Sequence, residues 1–322
     1  MEEIPVEVLK EYGVKSTTIT RLKKAGIYDI RKLFLFNEHD LVDLGFGEDT
    51  AARLVALARK MMYEHGYSHI QSALEYSQVF DELECFTTGV KALDELLGGG
   101  VKVSESHELV GEYGAGKTQI CHQLCVTVQL PLDRGGLQAK AVYIDTEGTF
   151  TPSRVARIAE RFGLEPKEAL KNIILVKPIK VSDLRFFVQN ELPDIVLREK
   201  VKLVVLDSVI KLHRAEYRGR GKLAERQQDL NFILNELDKI QKTFGVAIVA
   251  TNQVLANPGV FFGPTVKACG GHIVAHHFNH RFFIRKSKGN LRILECFDSP
   301  RIPPTPVAFV IKEDGLHDAE LK

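Results

Sequence analysis

The chain has 322 residues, room for about two domains at roughly 150 residues each. Its 43 Lys and Arg nearly balance 42 Asp and Glu, leaving a net charge of +1, and 44% of residues are hydrophobic, an ordinary globular composition. A disordered chain, a collagen-like chain and a highly basic tail protein are excluded, and with no run of about 18 apolar residues no membrane-spanning helix is expected. The opening MEEIPVEVLKEYGV is acidic and lacks the apolar stretch of a secretory signal, and none of the five cysteines forms a Cys-x-x-Cys pair. A cytoplasmic protein with buried, reduced thiols is expected, Cys121 and Cys125 lying four apart on one helix.

Residues 1–80 carry 10 basic and 12 acidic side chains. The first 65 or so read as short helices, with Pro5 in a first turn and Gly13 ending a helix. Two similar units follow one another, LKEYGVKSTTITRLKKAGI and LVDLGFGEDTAARLVALARKM. Each reads as helix, glycine-containing hairpin and helix, with Leu54, Leu57 and Ala58 at helical spacing in the second. Residues 65–85 read as a linker with a short extended or helical segment.

From about residue 86 the pattern changes. The apolar runs HELVG, AVYID, NIILVK, KLVVLD and VAIVATN alternate with helical stretches such as 225–244, where Leu230, Ile233, Leu234, Leu237 and Ile240 form one stripe. Such alternation predicts a mostly parallel sheet covered by helices. The last runs, HRFFIRK, LRILECFDS and PVAFVIKE, read as antiparallel strands extending it.

The sharpest local signal is GEYGAGKTQ at 111–119, which fits Gly-x-x-x-x-Gly-Lys-Ser/Thr between the strand 107–110 and a helix expected at 119–129. The glycines, Gly111, Gly114 and Gly116, let backbone amides wrap a phosphate, with Glu112, Tyr113, Ala115 and Gln119 completing the loop. The helix N-terminus adds a field that favours negative charge. Lys117 supplies a point charge to the β- and γ-phosphates and Thr118 a hydroxyl to Mg²⁺. KLVVLDS reads as a buried strand ending at Asp207, a carboxylate placed to hold the Mg²⁺ water shell. In the turn after AVYID, Glu147 is placed to activate a water, or is simply an exposed turn residue. Asn252 and Gln253, at the end of another strand, either sense the γ-phosphate or are ordinary strand-end polar residues.

Two segments are basic. Residues 211–226 carry six basic side chains against Glu216 and Glu225; residues 267–292 carry six and no acid, with His272, His276, His277 and His280 besides. Such segments on a neutral protein suggest an anion-binding surface, the plain alternative being solvated loops balanced by acids elsewhere.

GEYGAGKTQ, YIDTEGTF, LVVLDS, YRGRGKLAERQ, TNQV and GGHIVAH, in this order and spacing, resemble the archaeal RadA-type and eukaryotic recombinases of the RecA-like family, over nearly the whole chain. The resemblance implies a RecA-like α/β phosphate-loop ATPase core with a mostly parallel sheet at 86–322. A small all-α helix-hairpin-helix domain at 1–64 and a linker with a polymerisation segment at 65–85 would precede it. It implies a DNA-dependent ATPase that forms filaments, or rings, on single-stranded DNA and exchanges strands with homologous duplex, using ATP and Mg²⁺, with recombination mediators as partners. In the residues, it makes Glu147 the water-activating carboxylate and Gln253 the link from γ-phosphate to the second DNA loop. Arg154 would pack on the adenine, Asp298 and Pro300 would cap a neighbour's nucleotide, and His276 would couple nucleotide state to DNA. The DNA loops fall at about 214–222 and 254–271. The first holds Arg214, Tyr217, Arg218, Arg220 and Lys222, with Arg226 following; the second runs through Phe261 and Phe262 to Gly271. Arginines bind phosphates without reading sequence, and Tyr217 either stacks on a base or packs internally. The helix-hairpin-helix domain would bind backbone phosphates through its hairpin amides, the alternative being a purely structural or partner-docking helical domain.

Three positions depart from the family pattern. The polymerisation aromatic has its best counterpart in Tyr67, with Ile70 where a small residue is usual. Thr151 stands at a common Arg position. The resemblance leaves K⁺ open as a further cation, and Pro304, standing where relatives often carry Asp, takes away a carboxylate on which a cap and such a site would be built. These departures motivate the alternative of a recombinase paralogue that binds ATP and DNA as a mediator without exchanging strands itself. A phosphoryl-transfer kinase or hexameric helicase on the same core lacks any acceptor-site or lid signature.

Overall fold

The structure, a computed structural model, describes residues 3–67, 70–256 and 266–320. Residues 1–82 and 83–322 form separate compact units. No helix among the described residues is long and apolar enough to cross a membrane, and all five cysteines are free thiols.

The first unit is all helical. A 3-10 turn Val6–Lys10 leads through Gly13 to the helix Ser16–Lys24, and the helix Glu38–Asp43 leads through Gly45 to Glu48–Glu64. Both turn glycines have positive φ (+75° and +86°), which a side chain would resist. Between the pairs, Asp29 caps the short helix Ile30–Leu33 and Asn37 with Asp40 forms a capping box. Leu9, Leu22, Ile27, Leu33, Leu41, Leu54, Met61 and Met62 fill the core. The two helical pairs tie each other's hairpins: Arg53 Nη2 donates to the Tyr12 carbonyl at 2.6 Å, and Arg21 donates to the Gly45 carbonyl while lying over the Phe46 ring. The helix Ala73–Asp81, inside the expected linker, belongs to this unit and opens with a Ser72–Glu75 capping box.

The second unit holds thirteen strands among its described residues: β1 (Cys85–Phe86), β2 (Val101–Lys102), β3 (Ser106–Gly111), β4 (Lys140–Asp145), β5 (Ile173–Val176), β6 (Val201–Asp207), β7 (Ala247–Asn252), β8 (Val254–Ala256), β9 (Val266–Ala268), β10 (His280–Lys286), β11 (Leu291–Asp298), β12 (Val307–Lys312) and β13 (Gly315–Asp318). Nine of them build one sheet in the order β13-β12-β11-β10-β3-β7-β6-β4-β5. Pairs from β10 to β5 are parallel and those from β10 to β13 antiparallel. The mostly parallel sheet is as expected, with one correction. HRFFIRK, expected as an antiparallel strand, is β10: it is antiparallel to β11 but parallel to β3, with His280 opposite His107 and Arg281 opposite Glu108. The helix Gly271–His277 carries the chain back before β10 begins, so β10 enters the sheet from the same end as β3.

β6 and β7 are buried along almost their whole length, because parallel strands are covered on both faces. Leu203 and Val205 share a core with Ile120 and Leu124 of the helix Lys117–Thr127. Val204 and Leu206, pointing the other way by strand alternation, are buried on the opposite face. The 225–244 stripe is the inner side of a helix spanning Leu223–Phe244, with Leu230, Ile233, Leu234, Leu237 and Ile240 buried. Each of the two long helices begins two residues earlier than expected, since Lys117 and Leu223 continue helical backbone that the polar pattern alone does not reveal.

Candidate nucleotide and nucleic-acid site

β3 ends at Gly111, the chain turns through 112–116, and the helix begins at Lys117. The turn needs its glycines. Gly116 has φ +110°, and a Cβ there would lie 2.6 Å from Ile311 Cδ1; a Cβ on Gly111 would lie 2.5 Å from the Ile284 carbonyl oxygen. Lys117 donates from Nζ to the Gly111 and Glu112 carbonyls at 2.7 and 2.9 Å, which folds its ammonium back over the loop. Burial lowers the Lys117 pKa, opposed by the charges of Asp207 and Glu147.

Parallel pairing sets Asp145 of β4 beside Asp207 of β6 at the same sheet end. Thr118 Oγ1 donates to Asp207 Oδ2 at 2.8 Å, so the two residues read as Mg²⁺ ligands are adjacent. Asp207 also accepts from Tyr143 Oη at 2.7 Å and from Thr251 Oγ1, which fix its orientation. The peptide after Asp207 is cis. The buried Asp145 accepts from the amides of Gly148, Thr149 and Phe150 at 2.7–3.2 Å, curling the turn that carries Glu147. Glu147 Oε1 accepts from Ser208 Oγ at 2.6 Å and Gln253 Nε2 at 3.0 Å, and Oε2 faces Lys211 Nζ at 3.2 Å. Gln253 in turn accepts from Arg214 Nη1 at 3.2 Å.

Gly111, Glu112, Tyr113, Gly114, Gly116, Lys117, Thr118, Gln119, Glu147, Asp207 and Gln253 line one open cleft of about 600 Å³, with Ser208, Thr251, Arg292 and Ile311. Ala115 is buried beneath the loop. Arg154 is not on this lining; it donates to the Lys312 carbonyl, against the β12–β13 hairpin. Asp298 and Pro300 are also off it, exposed at the end of β11, where Asp298 pairs with Arg281 at 3.3 Å.

In the first basic segment Arg214, Arg218 and Lys222 are exposed and Arg226 is half-buried. Lys222 pairs with Glu225 at 2.7 Å. The Arg220 side chain lies outside the described residues. Tyr217 is held internally: its hydroxyl donates to Asp229, whose acceptance pushes the phenol up to about 12. Of its two readings this geometry favours packing. Phe261 and Phe262 lie outside the described residues, while Gly271 opens the helix that exposes His276 beside His272, ring centroids 6.1 Å apart. Tyr67 is half-buried on its own unit, edge-on to Phe34 at 5.0 Å and stacked with Tyr63 at 6.5 Å, so anchoring in a neighbour would require leaving that contact. Ile70 is 80% exposed.

Several participants escaped the sequence reading. Ser208 and Lys211 follow Asp207 by one and four residues, a proximity that would have nominated them; Thr251 and Arg292 carry no local signal. A second polar cluster was also missed, at the other end of β3: Glu105, His107 and His280, whose ligand-type atoms lie within 4.8 Å of one another. Arg301 already grips Glu105 at 3.0 and 2.6 Å and holds its carboxyl, against burial and together with His280, down at about 2.

A phosphate loop after β3, a hydroxyl and carboxylate pair, and a carboxylate on the neighbouring strand's turn, set on this strand order, define a RecA-like phosphate-loop core. Residues 80–319 match the sequence model of the Rad51 family. The chain is 42% identical over 310 residues to the "DNA repair and recombination protein RadA" of Metallosphaera sedula, covering 96% of this chain and 94% of that protein. It is 40% identical over 324 residues to the protein of the same description from Ignicoccus hospitalis, covering 99% and 98%. The chain belongs to the Rad51 family.

Proposed function

We propose that the protein is a DNA-dependent ATPase that forms filaments on single-stranded DNA and catalyses homologous pairing and strand exchange in recombinational repair. The observation that carries this reading is the side-chain chain Glu147–Gln253–Arg214, which joins the triphosphate cleft to the exposed basic segment. Family membership and near-full-length likeness to proteins described as RadA support it.

ATP enters with its β- and γ-phosphates on the loop amides and Lys117, which neutralises charge developing on the transferring phosphoryl group. Thr118 and Asp207, hard oxygen donors 2.8 Å apart, fit Mg²⁺ and would hold it, and the ion would supply positive charge that offsets the charge of the phosphates. Glu147 orients a water in line with the γ-phosphorus and accepts its proton. Gln253 reports the γ-phosphate to the segment that follows, and Arg214, Arg218, Arg220, Lys222 and Arg226 grip the DNA backbone. Asp298 and Pro300 cap the nucleotide of the next subunit, Arg154 packs on the adenine, and His276 couples nucleotide state to DNA. Exchanging K⁺ for Na⁺ in turnover assays reads whether a further cation is used with Pro304 in the place of a carboxylate.

The mediator reading is not favoured, because the hydrolytic residues assemble into one cleft and the RadA relatives match end to end. Joint-molecule (D-loop) formation with ATP, Mg²⁺ and homologous duplex tests the choice. Joint molecules and long helical filaments in electron micrographs are expected. Rings or monomers that bind ATP and DNA without pairing would overturn strand exchange as the activity.

A further inference from the structure

Glu147 is engaged from three sides by protein donors, Ser208 Oγ and Gln253 Nε2 on Oε1 and Lys211 Nζ beside Oε2. A carboxylate that is to take a proton from water needs a lone pair aimed at that water. Here both sites on Oε1 and one on Oε2 face protein donors, and the Lys211 ammonium draws the remaining charge of Oε2 toward itself. Two of the three donors sit at the roots of the segments expected to meet DNA, Lys211 at the start of the first basic segment and Gln253 just before residue 254. Lys211 opens the helix Lys211–Glu216 that runs into Arg214 and Arg218, and Gln253 immediately precedes β8. Gln253 is itself tied to Arg214.

Lys211 differs from the other two donors in charge and access. Its side chain is 49% exposed while that of Glu147 is 17% exposed, so the ammonium can be reached from solvent and the carboxylate cannot readily follow it. Lysine is a flexible point charge that moves between anions at little steric cost. A polynucleotide lying on Arg214 and Arg218 would bring several phosphates near this ammonium, against the single carboxylate of Glu147.

We propose that Lys211 is a positioning residue that restrains Glu147, and that DNA phosphate drawn to the arginine-bearing segment takes Lys211 off Glu147 and frees the carboxylate to orient the attacking water. The step exchanges one ion pair for another, with no bond broken. It rests on the reading of the protein as a DNA-dependent ATPase, and supplies the means by which DNA accelerates turnover. A positioning partner of this kind acts oppositely to a structural one: its removal raises the DNA-free rate.

The test is phosphate release by the full chain with ATP and Mg²⁺, with and without saturating oligo(dT). Lys211→Met is expected to raise the DNA-free rate about fivefold, the upper worth of a half-exposed ion pair, with little change in the DNA-bound rate. The stimulation ratio falls by the same factor. Lys211→Arg restores the wild-type ratio, and Lys211→Gln, a second charge-removing variant, behaves as the methionine variant. Fluorescent-nucleotide titration and thermal melting confirm that each variant is folded. A methionine variant whose DNA-free rate stays at or below wild type, with an unchanged ratio, overturns the proposal. Wild-type turnover indifferent to bound DNA would overturn the DNA-dependent reading instead, and the DNA-free rate of Lys211→Met would still decide whether Lys211 restrains Glu147.

Discussion

Acidification from pH 7.5 to 5 should destabilise the ATPase unit through three histidines buried in its core. His107, His122 and His213 are 3%, 0% and 0% exposed, and the backbone contacts of His107 with Ile248 and of His213 with Val209 oppose the effect of burial without cancelling it. Burial is the first cause in each case, lowering His107 to about 3 and His122 and His213 to about 4. In His107 the neighbouring His280 adds to the effect, and in His122 Arg154 does. Each folded-state value lies below that of an exposed imidazole at about 6.5, so the unfolded chain binds more protons throughout the window between them. Stability is therefore complete above about pH 6.5 and is lost as pH falls, each histidine contributing about 2 kcal/mol by pH 5 and the three about 6 kcal/mol as an upper figure. Carboxylates add little in this range; Glu105, held near 2, loses its contribution only below about pH 4.5. Urea unfolding followed by circular dichroism at pH 7.5, 6.5, 5.5 and 5 measures the slope. His107→Phe, a ring of similar shape that stacks on Phe282 without titrating, should lower the slope near pH 5.3 by about a third. A stability flat to within about 1 kcal/mol between pH 7.5 and 5, or a slope unchanged in His107→Phe, refutes the account.

Three further outcomes are expected. Lys117→Ala removes the ammonium that faces the loop carbonyls, so triphosphate affinity and ATP-dependent filaments are lost together, read by nucleotide titration and electron microscopy. Glu147→Gln keeps ATP binding but lowers turnover by about 10²- to 10⁴-fold, and unchanged turnover would remove Glu147 from its role. Arg281→Met leaves Glu108, which is fully buried and paired to Arg281 at 2.6 Å, with the Asn252 amide as its remaining side-chain donor among the described residues; the loss should be about 3–5 kcal/mol, and Glu108→Gln in the same chain should recover much of it in thermal melts.

Much of the site was legible before any coordinates, for a physical reason. A phosphate loop is a local device: glycines that tolerate the turn, a lysine and a hydroxyl one residue apart, all within one strand–turn–helix, so nine consecutive residues encode it. Asp207 was readable because it closes an apolar run that forms a strand, and Glu147 because it lies in the turn just after another; strand ends in a parallel sheet gather at one edge. The two hairpins of the first unit were likewise written in their glycines.

Other features depend on which strands become neighbours, and no local pattern states that. The parallel entry of β10, and with it the Glu108–Arg281 pair, follows from the return of the chain between β7 and β10. Thr251 reaches Asp207 only because β7 lies beside β6, and Lys211 meets Glu147 only because β6 lies beside β4. The Glu105–His107–His280–Arg301 cluster joins residues nearly 200 positions apart. Tyr217 kept two readings until the fold brought Asp229 to its hydroxyl. Short-range sterics and backbone hydrogen bonding act between residues near in sequence and so leave a mark there, whereas pairing between distant charges is settled by strand order, which the whole chain decides at once.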